Sequence, residues 1–291
     1  MADETITLQQ YVNAARQTFL TVALLPDQNH SLEITPEGCL FLLTWTKCFT
    51  EAFSKGKSWN GDFTLADFKV CRGHVQKHKK PKKFGDEGMK NDMEKFVEEI
   101  ELVFRSRDSR LRFTYPPYFS DFTFRLRNLE IIQNVLSNQY KLLLETHMCF
   151  MPSYERGCFI IGLYRNYQGG DQNDKWETAI KTAVCASGWK TKVSNVVFFK
   201  DIVTKAEEDG RTYGKTNFEA FRFSRDVMTH GADQDYRFET NNEEEKFPDD
   251  SGIELMIPYH LGDFIARIVA KVILDGIDIT DELFSARVKC V

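Results

Sequence analysis

The chain has 291 residues, a formal net charge of −5 and a hydrophobic fraction of 42%. This balance excludes a wholly disordered chain. The negative charge disfavours nucleic acid as a partner unless a local basic patch exists, because phosphate binding needs a positive field. Phe is frequent, with 24 residues, and this predicts an aromatic-rich core.

A membrane-spanning helix needs about 18–20 consecutive apolar residues, and no stretch of the sequence approaches that length. Residues Met1 to Gln10 lack the apolar run of a secretory signal. We therefore expect an intracellular protein without a membrane partner, in which cysteines stay reduced. Cys290, near the C-terminus, is a candidate inter-chain thiol in an assembly, and an inert thiol is the plainer interpretation.

The N-terminal subregion, residues 1–71, is interpreted as helical and mixed structure. Thr7 and Gln10 have the spacing of a capping box, and an apolar stripe follows them. This pattern predicts a helix over about 7–22. The apolar run from Cys39 to Phe49 fits either a helix or a strand.

Residues 72–87 are predicted to form a basic loop. Closely spaced ammonium groups repel one another and keep such a segment wet. The segment is a candidate nuclear-import signal, a phosphate-contacting patch or a merely solvated loop. Its lysines are Lys77, Lys79, Lys80, Lys82 and Lys83.

Residues 88–291 are predicted to begin with a helix over about 88–105 and to continue as a strand-rich core. Phe122, Phe124 and Leu126 alternate with polar residues, which is typical of a half-buried strand. An acidic loop is expected near 240–250 and an amphipathic helix near 260–275. Further strands are predicted at 141–150, 158–164, 193–199, 218–223 and 253–257.

These elements predict an α+β fold, in which an antiparallel β-sandwich core carries peripheral amphipathic helices. The whole chain, 1–291, is expected to form a single globular unit.

Two patterns suggest chemistry, and each has a plainer alternative. Arginines and aromatic residues interleave over 105–118, a mixture that can hold single-stranded nucleic acid but also fits an ordinary strand. His147, Cys149 and Cys158 could ligate zinc or pair a nucleophile with a base. A fourth ligand and an orienting group are both missing, so core packing is favoured.

Pro248 and Asp249 followed by Glu254 are similar to the opening of a metal-dependent nuclease motif. Met256 stands where that motif needs a lysine, so we reject the match. Gly-rich phosphate-binding loops and the GxSxG motif are absent from the sequence. We predict no catalytic residue, no cofactor, no metal site and no small-molecule substrate.

Several segments, taken in order, resemble the polyhedrin and granulin family of insect viruses. They are the basic KKPKK at 79–83, FIIGLYRN at 159–166, AIKTAVC at 179–185, VSNVVFF at 193–199 and DFIARIVAKVI at 263–273. A nudivirus-like relative would accommodate the long N-terminal segment, the acidic insertion and the short tail.

The resemblance implies a β-sandwich whose trimers pack into an intracellular crystal, located in the host nucleus, that shelters virions. It also implies dissolution of that occlusion matrix at alkaline pH, when Tyr, Cys and Lys change charge. The expected partner is thus the chain itself. The alternative is a viral protein that binds nucleic acid or a host factor through the basic segment 72–83 and the segment 105–118.

Overall fold

Helices dominate the computed structural model, with 61% of residues helical and 10% in strands. The structure describes residues 5–170, 172–185, 188–231 and 250–288. Within these residues the strands form one sheet of three strands and two sheets of two. A sandwich needs two packed sheets around a shared core, so the predicted antiparallel β-sandwich is wrong.

The helices of the described residues follow one another with short connections. In chain order they are α1 (Leu8–Ala15), α2 (Pro36–Phe53), α3 (Gly85–Phe104), α4 (Phe119–Arg127), α5 (Asn138–Glu145), α6 (Ser153–Gly169), α7 (Asn173–Thr182), α8 (Trp189–Ser194), α9 (Val197–Glu208), α10 (Asn217–His230), α11 (Asp250–Leu261), α12 (Phe264–Leu274) and α13 (Thr280–Val288).

The strands of the described residues are short, and all of them lie before residue 137. They are β1 (Ile6–Thr7), β2 (Leu20–Leu24), β3 (His30–Ile34), β4 (Phe68–Cys71), β5 (His74–Lys77), β6 (Ile131–Ile132) and β7 (Val135–Leu136). The three-stranded sheet has the order β1-β4-β5 and is antiparallel. Arg72 and Gly73, both at positive φ, make the two-residue turn between β4 and β5.

Contacts between Cα atoms divide the chain into two compact units. Unit 1 comprises Met1–Thr21, Leu32–Asp108 and Thr114–Met151, and unit 2 comprises Val22–Ser31, Ser109–Phe113 and Pro152–Val291. The single globular unit expected over 1–291 stays a prediction.

The helix predicted at the N-terminus begins where its capping box placed it. The Gln10 backbone N–H donates to Thr7 Oγ1 at 3.3 Å, and Gln10 Oε1 accepts from the Thr7 backbone N–H at 3.0 Å. Helix α1 ends at Ala15. A 3-10 turn and strand β2 occupy the rest of the predicted range, so the helix is shorter than predicted.

Aromatic side chains fill the interior of unit 1, which confirms the predicted aromatic-rich core. Phe49 on α2 is fully buried. Its ring centroid lies 4.7 Å from that of Phe96 on α3, and 5.2 Å from those of Trp59 and Phe63. Trp45, one turn earlier on α2, meets Phe96 edge-on at 4.9 Å. Such contacts between rings add stability beyond their buried area.

The strands predicted after residue 110 are wrong, because each of these segments is helical or lies between helices. Phe119, Phe122 and Leu126 are buried on α4 at helical spacing, while Phe124, which the strand prediction placed with them, is 55% exposed. Short apolar runs do not distinguish a buried helix from a strand. The remaining segments lie in α5 and a 3-10 turn (141–150), α6 (158–164), α8 and α9 (193–199), α10 (218–223) and α11 (253–257).

A buried ion pair joins α6 and α11 in unit 2. Arg156 Nε and Nη2 both donate to Glu254 Oε2, at 2.8 and 2.6 Å, and the two side chains are 2% and 0% exposed. Glu254 is the carboxylate that the rejected nuclease motif would have used. The pair instead neutralises two charges within the helical core.

The last apolar stripe of the sequence lies on α12. Phe264, Ile265, Ile268 and Val272 of this helix are fully buried, as expected for the stripe predicted near 260–275. Gly276, at a φ of 72°, follows the helix and donates its N–H to the Ile273 carbonyl at 3.0 Å, so it ends the helix as predicted. Among the described residues, no helix is both long and apolar enough to cross a bilayer.

Candidate polyanion-binding surface

The basic segment of the sequence is ordered along unit 1. Its first lysine, Lys77, ends strand β5, and residues 78–84 connect this strand to the start of α3. The predicted basic loop over 72–87 therefore contains a strand at its beginning and the first turn of a helix at its end.

Backbone hydrogen bonds hold this connecting segment against the rest of unit 1. Lys82 exchanges two of them with Ser58, at 2.8 and 2.9 Å. The backbone N–H groups of His78 and Lys79 both donate to the Asp67 carbonyl, at 2.9 and 3.0 Å. The Trp59 indole Nε1 donates to the Lys79 carbonyl at 3.0 Å. The path of the main chain is thus fixed at both of its ends.

The five lysines fall into two groups. Lys77 pairs with Glu51 at 2.7 Å, and Lys79 pairs with Asp62 at 3.0 Å. The other three make no ion pair with any described residue. They are the exposed Lys80, Lys82 and Lys83.

Two more lysines lie beside this group, on the connection that follows α2. The pairing of Ser58 with Lys82 places Lys57 across from Lys83 in an antiparallel register. Lys55 precedes it by two residues, and both side chains are exposed. We call the exposed set the basic strip; it consists of Lys55, Lys57, Lys80, Lys82 and Lys83.

Asp92 fixes the main chain that follows Ser58. It is fully buried on α3, and its two carboxylate oxygens accept the N–H groups of Trp59 and Gly61, each at 2.7 Å. Burial raises the pKa of Asp92 to about 6, although these hydrogen bonds and Lys95 act in the opposite direction. Sequence reasoning missed this residue. The Asn60-Gly61 turn was visible, but its hydrogen-bond partner lies 31 residues further along the chain.

Exposed apolar side chains border the basic strip. Phe84 directly follows its last lysine and is 46% exposed. The tip of the β6–β7 hairpin lies against the Phe84 end of the strip. A Cβ placed on Gly56 would be 3.2 Å from the Asn134 carbonyl oxygen, and one placed on Gly85 would be 3.0 Å from Asn134 Oδ1. Ile132 and Val135 of this hairpin are also exposed.

The arginine and aromatic segment 105–118 does not form the predicted strand. Residues 105–108 and 114–118 belong to unit 1, and 109–113 to unit 2. In unit 2 the Arg112 guanidinium lies 5.0 Å from the Phe113 ring and 5.3 Å from the Tyr259 ring. The segment is therefore divided between the two compact units.

His147 does not have the geometry of a general base. Its Nδ1 accepts the backbone N–H of Cys149 at 3.2 Å, and its Nε2 lies 3.1 Å from Asp121 Oδ2, which also binds Arg125. Burial works to raise the pKa of Asp121, but hydrogen bonds from His147 and Arg125 lower it overall. This cluster ties α4 to the end of α5.

The cysteines and histidines considered as metal ligands are not brought together. Within the described ranges, no group of three or more His, Cys, Asp or Glu side chains could hold a metal ion. Cys48, Cys71 and Cys158 are free thiols, and burial raises the pKa of Cys48 to about 12. Cys290, the candidate inter-chain thiol, lies outside the described residues, as does most of the predicted acidic loop near 240–250.

The negative charge of the chain comes from one segment of the sequence. Residues 232–249 carry seven acidic and two basic side chains, a net charge equal to that of the whole protein. The remaining residues balance to zero, so the overall charge does not argue against a local anion-binding surface.

No family model, curated protein or solved structure matches this chain. The interpretation of the basic strip therefore rests on its own geometry and charge.

Proposed function

We propose that the chain binds nucleic acid without chemical turnover, through the basic strip of unit 1. The observation that carries this proposal is the group of three exposed lysines, Lys80, Lys82 and Lys83, that have no ion-pair partner among the described residues. Lysines without a protein partner are free to replace the counterions of phosphate groups, and release of those counterions drives association. A repeated phosphate backbone fits a row of ammonium groups better than a single small anion does.

The first test compares two variants that each remove two positive charges. For the Lys82→Ala, Lys83→Ala variant we expect weaker binding of labelled RNA and a smaller salt dependence. The slope of log K against log salt should fall by about 1.4, since each contact with a single strand contributes about 0.7. Fluorescence anisotropy over a salt series measures both quantities.

The matched control is the Lys77→Ala, Lys79→Ala variant. Both of these lysines already pair with carboxylates of the protein, so we expect its salt slope to stay close to that of the parent. Equal losses in the two variants would mean that only net charge matters, and this result would overturn the basic strip as the binding site.

Two functions inferred from the sequence remain predictions. Assembly into an occlusion matrix predicts large particles at neutral pH that dissolve in alkali, and light scattering at the two pH values tests it. A dispersed monomer at neutral pH would contradict it. Nuclear entry through the five lysines predicts that their replacement by Ala moves a fluorescent fusion out of the nucleus. An unchanged distribution would refute it.

Alkaline pH is expected to destabilise the fold itself, mainly between pH 10 and 12. Burial raises the pKa of Tyr140 and of Cys48 to about 12, above their ordinary values of 10.0 and 9.0. The folded state then holds these protons more tightly than the unfolded chain. The resulting stability is complete below the unfolded pKa and is lost as pH rises through the folded pKa. Urea unfolding followed by circular dichroism across this range measures the loss.

The Tyr140→Phe variant is the control for this effect, because it cannot ionise. Its stability at neutral pH is expected to be lower, since the Tyr140 hydroxyl donates to the Arg125 carbonyl at 2.8 Å. From pH 10 to 12 it should lose less stability than the parent. A loss as large as that of the parent would exclude Tyr140 as a source of the alkaline transition.

A further inference from the structure

The exposed ring of Phe84 bears on which form of nucleic acid the basic strip would bind. This ring stands at the end of the strip, immediately after Lys83, and is 46% exposed, whereas most phenylalanines of unit 1 are buried. Phe84 occupies the position before the first residue of α3 and makes no side-chain capping hydrogen bond. Gly88 makes room for Phe84, because the Cβ of any other residue at position 88 would lie only 2.5 Å from the Phe84 Cβ.

The ring has neighbours of the same character. The β6–β7 hairpin places the exposed Ile132 and Val135 next to the strip, by way of the contact of Asn134 with Gly56 and Gly85. A row of ammonium groups is therefore bordered by an aromatic ring and two aliphatic side chains. Asp86 and Glu87, in the first turn of α3, follow Phe84 in the chain and limit the positive region there.

We infer that the basic strip binds single-stranded rather than duplex nucleic acid, with an unstacked base lying on the ring of Phe84. This inference rests on the proposed function and names the class of ligand. Sequence-tolerant binding of single strands combines a positive groove that follows the backbone with aromatic rings on which bases stack. In a duplex the bases stack on one another, and only phosphates and groove edges are accessible to a flat strip.

The test uses a labelled oligouridylate of about 16 nucleotides, the upper end of the site size of one single-strand-binding module, and an RNA duplex of the same length. We expect the single strand to bind more tightly than the duplex. Phe84→Ala and Phe84→Leu are expected to weaken single-strand binding by about 5- to 100-fold. Phe84→Trp is expected to keep it, because it retains a stacking face.

Phe124→Ala is the matched control. Phe124 is an exposed phenylalanine of the same unit, 55% accessible, that lies on α4 beside Arg125. Its replacement should leave binding unchanged. Circular dichroism of each variant at the assay temperature verifies that the fold is intact.

The possible results separate this inference from the proposed function. If Phe84→Ala binds like the parent while the variant lacking Lys82 and Lys83 does not, stacking is overturned and nucleic-acid binding stands. Equal affinity for the duplex and the single strand would likewise overturn the inference alone. If the parent binds neither RNA, both are overturned. Binding to anionic lipid vesicles instead of RNA would point to a membrane surface and would also overturn both.

Discussion

Replacing Glu254 with Gln is expected to lower the free energy of unfolding by about 3–5 kcal/mol. The substitution keeps the size of the side chain but removes its charge. The Arg156 guanidinium, which is 2% exposed and donates from Nε and Nη2 to Glu254, then stays charged in the core after this ion pair is lost. Urea denaturation followed by circular dichroism measures the change.

Two further variants define the cause of this loss. The double variant Arg156→Met, Glu254→Leu removes both charges and is expected to recover most of the stability, since an apolar pair avoids the cost of desolvating ions. Glu177→Gln breaks the exposed pair with Lys181 and should have no measurable effect. A loss in Glu254→Gln of less than 1 kcal/mol (about the worth of an exposed pair) would show that the buried charges do not govern the stability of unit 2.

Replacing Phe49 with Ala is expected to destabilise unit 1 by about 3–5 kcal/mol. Phe49 is fully buried at the centre of the aromatic core, in contact with Phe96, Trp59 and Phe63. Removing its ring leaves a cavity that these large, rigid neighbours cannot fill by small shifts. Fluorescence of the core tryptophans during urea denaturation reports the change.

The control for Phe49→Ala is again Phe124→Ala, which removes the same ring from an exposed position and should change stability by about 0.5 kcal/mol or less. Because Trp59 packs on Phe49 and also donates to the Lys79 carbonyl, Phe49→Ala is further expected to weaken RNA binding. Unchanged stability would mean that the core of unit 1 closes around the gap, contrary to the dense packing of its rings.

How much of the fold can be predicted depends on the length of the apolar pattern in each segment of the sequence. The capping box at Thr7, the long stripe of α3 and the stripe of α12 with Gly276 behind it are local signals, and each predicts its helix. The strand predictions for segments such as 158–164 and 253–257 are wrong because a short apolar run is compatible with both a strand and a buried helix. Only packing among α6, α10 and α11 decides between them, and that packing is not encoded within a window of a few residues.

The candidate site can also be predicted only in part, because local signals are visible in the sequence and distant partners are not. The five lysines are visible in the sequence, but the partners that neutralise Lys77 and Lys79 are not, since Glu51 and Asp62 lie 26 and 17 residues away. Asp92 and Glu254 look like ordinary helix residues until their distant partners are known. The strand predicted within 105–118 is wrong for a different reason. Its arginines and aromatic residues alternate in the sequence, but they are divided between two compact units.

The paired backbone of Ser58 and Lys82 has a thermodynamic consequence for any ligand of the lysines beside it. A disordered basic tail must give up about 1–2 kcal/mol of backbone freedom per residue when it settles on a polyanion. Here folding has already imposed that order, so on binding this segment gives up the rotamer freedom of its lysine side chains but little backbone freedom. A modest number of charges, rigidly displayed, can therefore match the affinity of a much longer flexible extension.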